Sequence, residues 1–134
     1  MPLFTGRFEY CIDDKGRLSI PARLREQVEK ESQDPAFIVT NLQPEFLSVY
    51  APNEFQELMD RLGRDENPQA RKVLRWVSSG AETCPLDKQG RILLPEALRA
   101  RAGLGRDVVI LGAVKHIEIW DPAREMAERG AASG

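Results

Sequence analysis

A thirteen-residue pattern occurs twice in this chain and limits what it can fold into. Residues 13–25 read DDKGRLSIPARLR and residues 87–99 read DKQGRILLPEALR, at a constant offset of 74 positions. Asp13, Gly16, Arg17, Pro21, Leu24 and Arg25 recur as Asp87, Gly90, Arg91, Pro95, Leu98 and Arg99. An internal repeat within 134 residues predicts two small halves of one design that must lean on each other.

Each copy has the local signals of strand, tight turn, strand and helix. RFEYCI (7–12) alternates polar and apolar residues, as a half-buried strand does. In the DDKG that follows, Asp13 can accept hydrogen bonds from its own turn, and Gly16 can take the left-handed conformation of a short hairpin loop with a bulge. RLSI resumes the alternation, with Leu18 and Ile20 on one face and Arg17 and Ser19 on the other. Pro21 suits a first helical position, and Leu24 and Val28 fall on one helix face. The second copy supplies DKQG as turn, RILL as strand, Pro95 as helix start and Gly103 as helix stop.

A further strand pair follows each copy: FIVT (37–40) with LSVY (47–50), and VVIL (108–111) with IEIW (117–120). The pairs end alike, in YAP at 50–52 and WDP at 120–122, and each leads into a helix. In the first of these, Asn53 is the expected N-cap, with Phe55, Leu58, Met59 and Leu62 at helical spacing. A linking helix over about 67–79 starts at Asn67-Pro68, with Ala70, Val73, Leu74 and Val77 as its stripe and Arg71, Lys72 and Arg75 elsewhere. The expected fold is α+β: two ββαββ repeats, at 7–54 and 83–126, plus the linking helix and a short C-terminal helix.

Composition narrows the class. With 42% hydrophobic and 30% charged residues the chain reads as a soluble globular protein. MPLFTGRFEY lacks the apolar centre of a secretory signal, and no stretch approaches the roughly 18 apolar residues of a membrane helix. Cys11 and Cys84 are therefore expected as free, buried thiols in a cytoplasmic protein.

The net charge of −2 hides an uneven distribution. Lys15, Arg17, Arg23 and Arg25 against Asp13 and Asp14 leave segment 13–25 at +2. Lys88, Arg91, Arg99, Arg101 and Arg106 against Asp87 and Glu96 leave segment 87–106 at +3, so the remainder carries −7. Concentrated positive charge on an acidic background suits an anionic partner met at a defined place.

Asp and Arg bracket each turn, so both side chains leave the same end of the hairpin. An Arg held by such an Asp is ordered before it meets a partner, and its fork matches phosphate or a guanine edge bidentately. The same pair could instead merely fasten the hairpin, a surface contact of about 0–1 kcal/mol. Duplication alone does not separate these readings; the repeated Lys/Arg surplus favours binding.

No other constellation points to chemistry. His116, the sole histidine, has no Ser or Cys partner at a motif spacing and reads as a strand residue. Glu118 and Asp121 lack histidines beside them and read as solvated. Trp76 and Trp120 fit packing or subunit contacts, and the Arg71, Lys72 and Arg75 face reads as solvated. There is no Gly-rich phosphate loop, zinc pattern or nucleophile elbow. Neither an enzyme, a cofactor nor a metal is expected.

The pattern D-x-x-G-R-[IL]-x-[IL]-P-x-x-[LF]-R, present twice, with NPQARKVLRWVSSGAE between the copies and IEIWD after them, resembles the MraZ transcriptional regulators. These belong to the AbrB-like swapped-hairpin group, which includes transition-state regulators and some antitoxins. The resemblance spans nearly the whole chain, from FTGRFEY to Trp120-Asp121. It implies two AbrB-like halves forming a pseudo-twofold, β-barrel-like core, assembled into a closed, octamer-like ring of identical subunits. It also implies a nucleoid-associated protein that binds repeated elements in the double-stranded promoter upstream of its own gene, at the head of the division and cell-wall cluster, mainly as a repressor.

The family motif falls on Asp13 and Arg17 and on Asp87 and Arg91. Lys15, Arg17, Lys88 and Arg91 are thus the expected DNA contacts, supported by Asp13, Gly16, Asp87 and Gly90. Lys15 matches a position that is basic in many relatives, whereas its counterpart Gln89 is neutral. Two other functions stay open: an antitoxin-like protein binder, although that branch has one copy and an acidic tail, and a scaffold ring.

Overall fold

The structure, a computed structural model, describes residues 3–133. Its elements follow the duplicated order. The first repeat contributes β1 (Arg7–Cys11), β2 (Arg17–Ser19), α1 (Ala22–Glu31), β3 (Ala36–Gln43) and β4 (Phe46–Tyr50). Two helices follow, α2 (Pro52–Arg64) and α3 (Pro68–Gly80). The second repeat contributes β5 (Glu82–Pro85), β6 (Arg91–Leu93), α4 (Glu96–Arg101), β7 (Asp107–Gly112) and β8 (Ile117–Trp120), before α5 (Pro122–Ser133).

Six strands form one antiparallel sheet in the order β1-β7-β8-β4-β3-β5, and β2 and β6 form a separate two-stranded ribbon. The order reads the same from either end when the repeats are exchanged, so the halves are related by a pseudo-twofold axis. The register fixes where that axis passes. In the ribbon Leu18 pairs with Ile92, its own counterpart at offset 74. In the sheet Ser48 pairs with Glu118, its counterpart at offset 70. The net fall of four has three sources: α4 is four residues shorter than α1, the loop after it is one residue longer, and the β7–β8 connection is one residue shorter than that of β3–β4.

Two expectations need correction here. The strand–turn–strand units are not simple hairpins: each keeps its turn, but β1 pairs with β7 and β2 with β6. Nor is the sheet closed into a barrel. β1 and β5 are its two edges, and among the described residues no ladder joins them. The reason is common to both: after Ile12 and Leu86 the chain leaves the sheet, and each returning arm joins the ribbon instead of lying back on its own first strand.

This exchange follows from the core. Ile12, Leu18, Ile20, Leu24 and Val28 of the first repeat lie in one cluster with Ile92, Leu94, Leu98, Val108 and Ile110 of the second. Leu18 and Ile92 are 0% and 1% exposed, so the central pair of the ribbon is fully withdrawn from water. Burying such a side chain contributes about 1.5–3 kcal/mol, and neither half has enough apolar surface to do so alone.

Helix ends show how far local signals carry. Asn67 caps α3, its side chain accepting from Gln69 N–H at 2.9 Å. Gly103, with φ +65°, closes α4 by bonds from Gly103 N–H to Ala100 O (3.1 Å) and from Leu104 N–H to Arg99 O (3.0 Å). Asn53, the expected cap of α2, lies inside the helix, because Ala51 takes that position and Pro52 opens the first turn, where its missing N–H costs nothing. Pro21 and Pro95 likewise stand one place earlier than expected, as caps of α1 and α4.

Neither thiol is in a disulfide, but only Cys84 is buried. Burial, with Glu82 close by, pushes its pKa up to about 11. Cys11 is exposed because it shares the outward phase of β1 with Arg7 and Glu9. The C-terminal helix is fastened through Glu125, which is buried and accepts from Arg7 Nη2 at 3.0 Å. On α3 only Val77 of the expected stripe is buried, and Trp76 is 65% exposed. No helix of the described residues is long and apolar enough to cross a membrane.

Candidate nucleic-acid interface

The two turns are built alike, atom for atom. In the first, Asp13 N–H donates to Arg17 O (2.9 Å) and Gly16 N–H to Asp13 O (3.0 Å). Asp13 Oδ1 accepts from the backbone N–H groups of Lys15 (2.9 Å) and Arg17 (2.8 Å), while Oδ2 accepts from Arg17 Nε at 2.7 Å. In the second, Asp87 Oδ1 accepts from Gln89 N–H (2.8 Å) and Arg91 N–H (2.9 Å), and Oδ2 from Arg91 Nε at 2.8 Å. Gly16 and Gly90 take the left-handed φ values of +86° and +78° that these loops require.

The aspartates are therefore held as carboxylates. The backbone N–H of Arg17 is the largest cause, followed against the cost of desolvation by its guanidinium, and Asp13 falls to a pKa of about 2. Asp87 is held below its usual range in the same way by Arg91. Each carboxylate takes the Nε of its arginine, leaving both terminal nitrogens of the fork without an acceptor among the described residues. That is the geometry for a bidentate contact with an anion or a base edge.

The ribbon gives both forks one direction. Leu18 and Ile92 point into the core, so Arg17, Ser19, Arg91 and Leu93 share the opposite face. Arg17 stands opposite Leu93 and Arg91 opposite Ser19, which makes the arginines diagonal neighbours, about 7–8 Å apart. Lys15 and Lys88 are exposed in the loops beside them.

The matches with known proteins run over the whole of this architecture. The family model described as "MraZ protein, putative antitoxin-like" matches residues 3–76 and 77–124. The chain is 40% identical over 133 residues to a protein of Limosilactobacillus fermentum named Transcriptional regulator MraZ, covering 98% of this chain and 90% of that one. A Heliobacterium modesticaldum protein of the same name is 43% identical over 124 residues, covering 91% and 83%. This chain belongs to the MraZ family.

Within this MraZ framework two arginines stand out whose role sequence reasoning missed. Arg25 Nε donates to Ile20 O (3.0 Å) and Arg99 Nε to Leu94 O (3.1 Å), each within its own repeat. Their guanidinium groups lie under the turn of the other repeat: a methyl added to Gly90 would sit 2.6 Å from Arg25 Nε, and one added to Gly16 would sit 3.0 Å from Arg99 Nη2. The signal was present, since both arginines close the repeated motif, but the glycine each one meets lies in the other copy.

The remaining sequence candidates lie apart from the ribbon. Arg71, Lys72 and Arg75 are exposed on α3. His116 precedes β8 instead of lying in it, stacks on Tyr50 at 5.3 Å, and places Nε2 2.9 Å from Glu118 Oε2. Glu118, expected to be solvated, also accepts from Trp120 Nε1 at 2.9 Å. Burial alone would raise its pKa, but these two bonds outweigh it and hold the carboxyl below its usual value. Trp120 packs, stacking on Phe46 at 4.7 Å. Among the described residues no group of three or more His, Cys, Asp or Glu is placed to hold a metal.

Proposed function

We propose that the protein is a double-stranded-DNA-binding transcriptional regulator that represses its own promoter and, through it, a downstream division and cell-wall gene cluster. The observation that carries this reading is the ribbon face: two aspartate-held arginine forks, diagonal to one another and partly exposed, at 33% and 26% of the side chain. Relatives named as transcriptional regulators at about 40% identity support it. Arg17 and Arg91, with Lys15 and Lys88, are the DNA contacts; Asp13, Gly16, Asp87 and Gly90 hold them in shape. The units are AbrB-like repeats at 7–54 and 83–126, acting in the cytoplasm at the nucleoid.

One arginine fork on a guanine edge supplies about 1–3 kcal/mol of discrimination, too little to select a promoter. A homo-oligomeric, octamer-like ring that places several ribbons on repeated elements adds these contacts at high effective concentration. The partly uncovered apolar residues of α3, Val73 and Trp76, favour such self-association. Footprinting on the region upstream of the gene tests the reading. Protection of regularly spaced elements is expected, with log K falling against log salt by about 0.9 per neutralised phosphate. Absence of protection, or an affinity insensitive to salt, would reject it.

A further inference from the structure

Each turn is held by more than its own aspartate. The carbonyl of Gly16 accepts from Leu94 N–H and that of Gly90 from Ile20 N–H, both at 2.9 Å. Directly behind those glycines lie the Arg99 and Arg25 guanidinium groups, each anchored through Nε to the carbonyl that precedes the proline of its own repeat. The carbonyl anchor, the arginine and the opposite turn form a chain of contacts that crosses the pseudo-twofold axis once in each direction.

We propose that Arg99 and Arg25 are positioning residues that act in trans between the repeats: Arg99 sets the stiffness of the Asp13–Arg17 turn, and Arg25 that of the Asp87–Arg91 turn. Neither side chain needs to touch DNA for this. A flat guanidinium packed behind a left-handed glycine limits how far the loop can fall back, so the fork of Arg17 or Arg91 is presented with less motion to lose on binding. A consequence is that damage to one repeat is read out at the loop of the other.

The two braces are not equal. Arg25 is pinned a second time, its Nη1 donating to Glu29 Oε2 at 2.8 Å, whereas the position four residues beyond Arg99 is Gly103, which offers no carboxylate. Arg99 instead shares its cleft with Asp13, Asp14 and Arg106. The first loop is thus held by the less constrained arginine and depends more on that single residue.

The proposal rests on the loops being the DNA-reading elements, and its test is arranged to separate the two ideas. Amide hydrogen exchange on the full-length protein without DNA reads the brace alone. Arg99→Gln is expected to speed exchange at Lys15, Gly16 and Arg17 severalfold and to leave Gln89, Gly90 and Arg91 unchanged; Arg25→Gln is expected to do the reverse. Should Arg99→Gln unfold the protein, Arg99→Lys keeps the charge without the planar fork and answers the same question. On promoter DNA, Arg99→Gln should weaken binding about three- to tenfold, the worth of a lost pre-ordered side chain. In an Arg17→Ala background the same change should add nothing. Equal acceleration in both loops, or none in either, overturns the brace. A loss of affinity that adds to that of Arg17→Ala also overturns it, because Arg99 would then contact DNA in its own right.

Discussion

The two turns share a backbone and differ in what surrounds it. Around the first, Asp14 and Lys15 stand in the loop, Arg106 lines the adjoining cleft, and the bracing Arg99 makes no ion pair among the described residues. Around the second, Gln89 replaces Lys15 and the bracing Arg25 is neutralised by Glu29; Lys88 is the compensating charge. The Asp-to-Arg geometry nevertheless matches to within 0.1 Å at each of the three bonds to the aspartate side chain. The two copies share their shape but not the field around it. Shape is what the shared core and the exchanged strands demand of both halves; the electrostatic field answers only to a partner.

That contrast gives the largest expected effect. If the proposed oligomer forms, Arg17→Ala should nearly abolish binding to promoter DNA in a gel shift while leaving that assembly intact by sedimentation, because the fork flanked by Lys15 is lost from every subunit at once. Arg91→Ala should cost much less, in the range of a single contact, about 1–3 kcal/mol. Equal losses would erase the distinction between the turns and make the ribbon a symmetric reader.

Next in size is the core on the axis. Leu18→Ala removes a side chain that is 0% exposed at the centre of the ribbon, at a cost of about 2–5 kcal/mol. Because both repeats feed one cluster, calorimetry should show a single transition moved down in temperature. Two separated transitions would mean that the halves fold independently and that the exchanged strands couple them only weakly.

How much of this could be read from the sequence depends on the range of each signal. The turns, the buried phase of Leu18 and Ile20, the Asn67 cap and the Gly103 stop were all legible, because each rests on residues within a few positions of one another. The exposure of Cys11 was legible too, in the alternation it shares with Arg7 and Glu9, although the lack of any secretion signal had favoured burial. Strand partners were not: alternation says which face of β1 is inward but not that β7, nearly a hundred residues away, lies beside it. The reach of Arg25 and Arg99 across the axis was hidden for the same reason, whereas the bonds of Glu118 to His116 and Trp120, two positions to either side, lay within local reach and were overlooked. The arginines of the two turns could be named in advance from the repeat; the face they share could not, because it depends on the pairing of β2 with β6.

The turn glycines sharpen the comparison at smaller cost. Alanine at Gly16 or Gly90 must adopt a left-handed conformation worth about 1–2 kcal/mol against it. At Gly90 the new methyl also meets Arg25 at 2.6 Å, closer than the 3.0 Å to Arg99 at Gly16. Chemical denaturation should therefore rank Gly90→Ala as the more destabilising, whereas DNA affinity should fall further for Gly16→Ala. Agreement of the two rankings would show that stability, not loop geometry, governs binding.

Acid tests the hold of each turn on its arginine. Both aspartates are more acidic in the folded protein than a free side chain, so what they contribute is complete above their unfolded value near pH 4 and is lost as pH falls towards the folded one. For Asp13 that window runs from about pH 4 down to about 2. Carbon-detected titration of the Asp13 carboxyl should have its midpoint near 2, and Asp13→Asn should flatten the stability profile across this range while lowering stability by a constant amount above it. A midpoint near 4 would mean that the turn does not hold Arg17 in solution.

The smallest change asks whether the second turn approaches DNA at all. Glu29→Gln releases the Arg25 guanidinium from its exposed partner, a pair whose loss should move stability by no more than about 1 kcal/mol. It also removes one negative charge close behind the Asp87–Arg91 loop, which gives the second brace the unpaired character of the first. If the second loop lies near phosphate in the complex, affinity should rise by a few-fold at low salt, and the gain should shrink as salt screens the added field. If that loop faces away, affinity will not change at any salt concentration, and the different charge around it reflects the absence of a partner there. Combining Glu29→Gln with Gln89→Lys gives the second turn the loop lysine and the unpaired brace of the first, with Lys88 still standing where the first has Asp14. A double variant that recovers part of the binding lost in Arg17→Ala would show that the two turns differ only in their charges, since their frames are already the same.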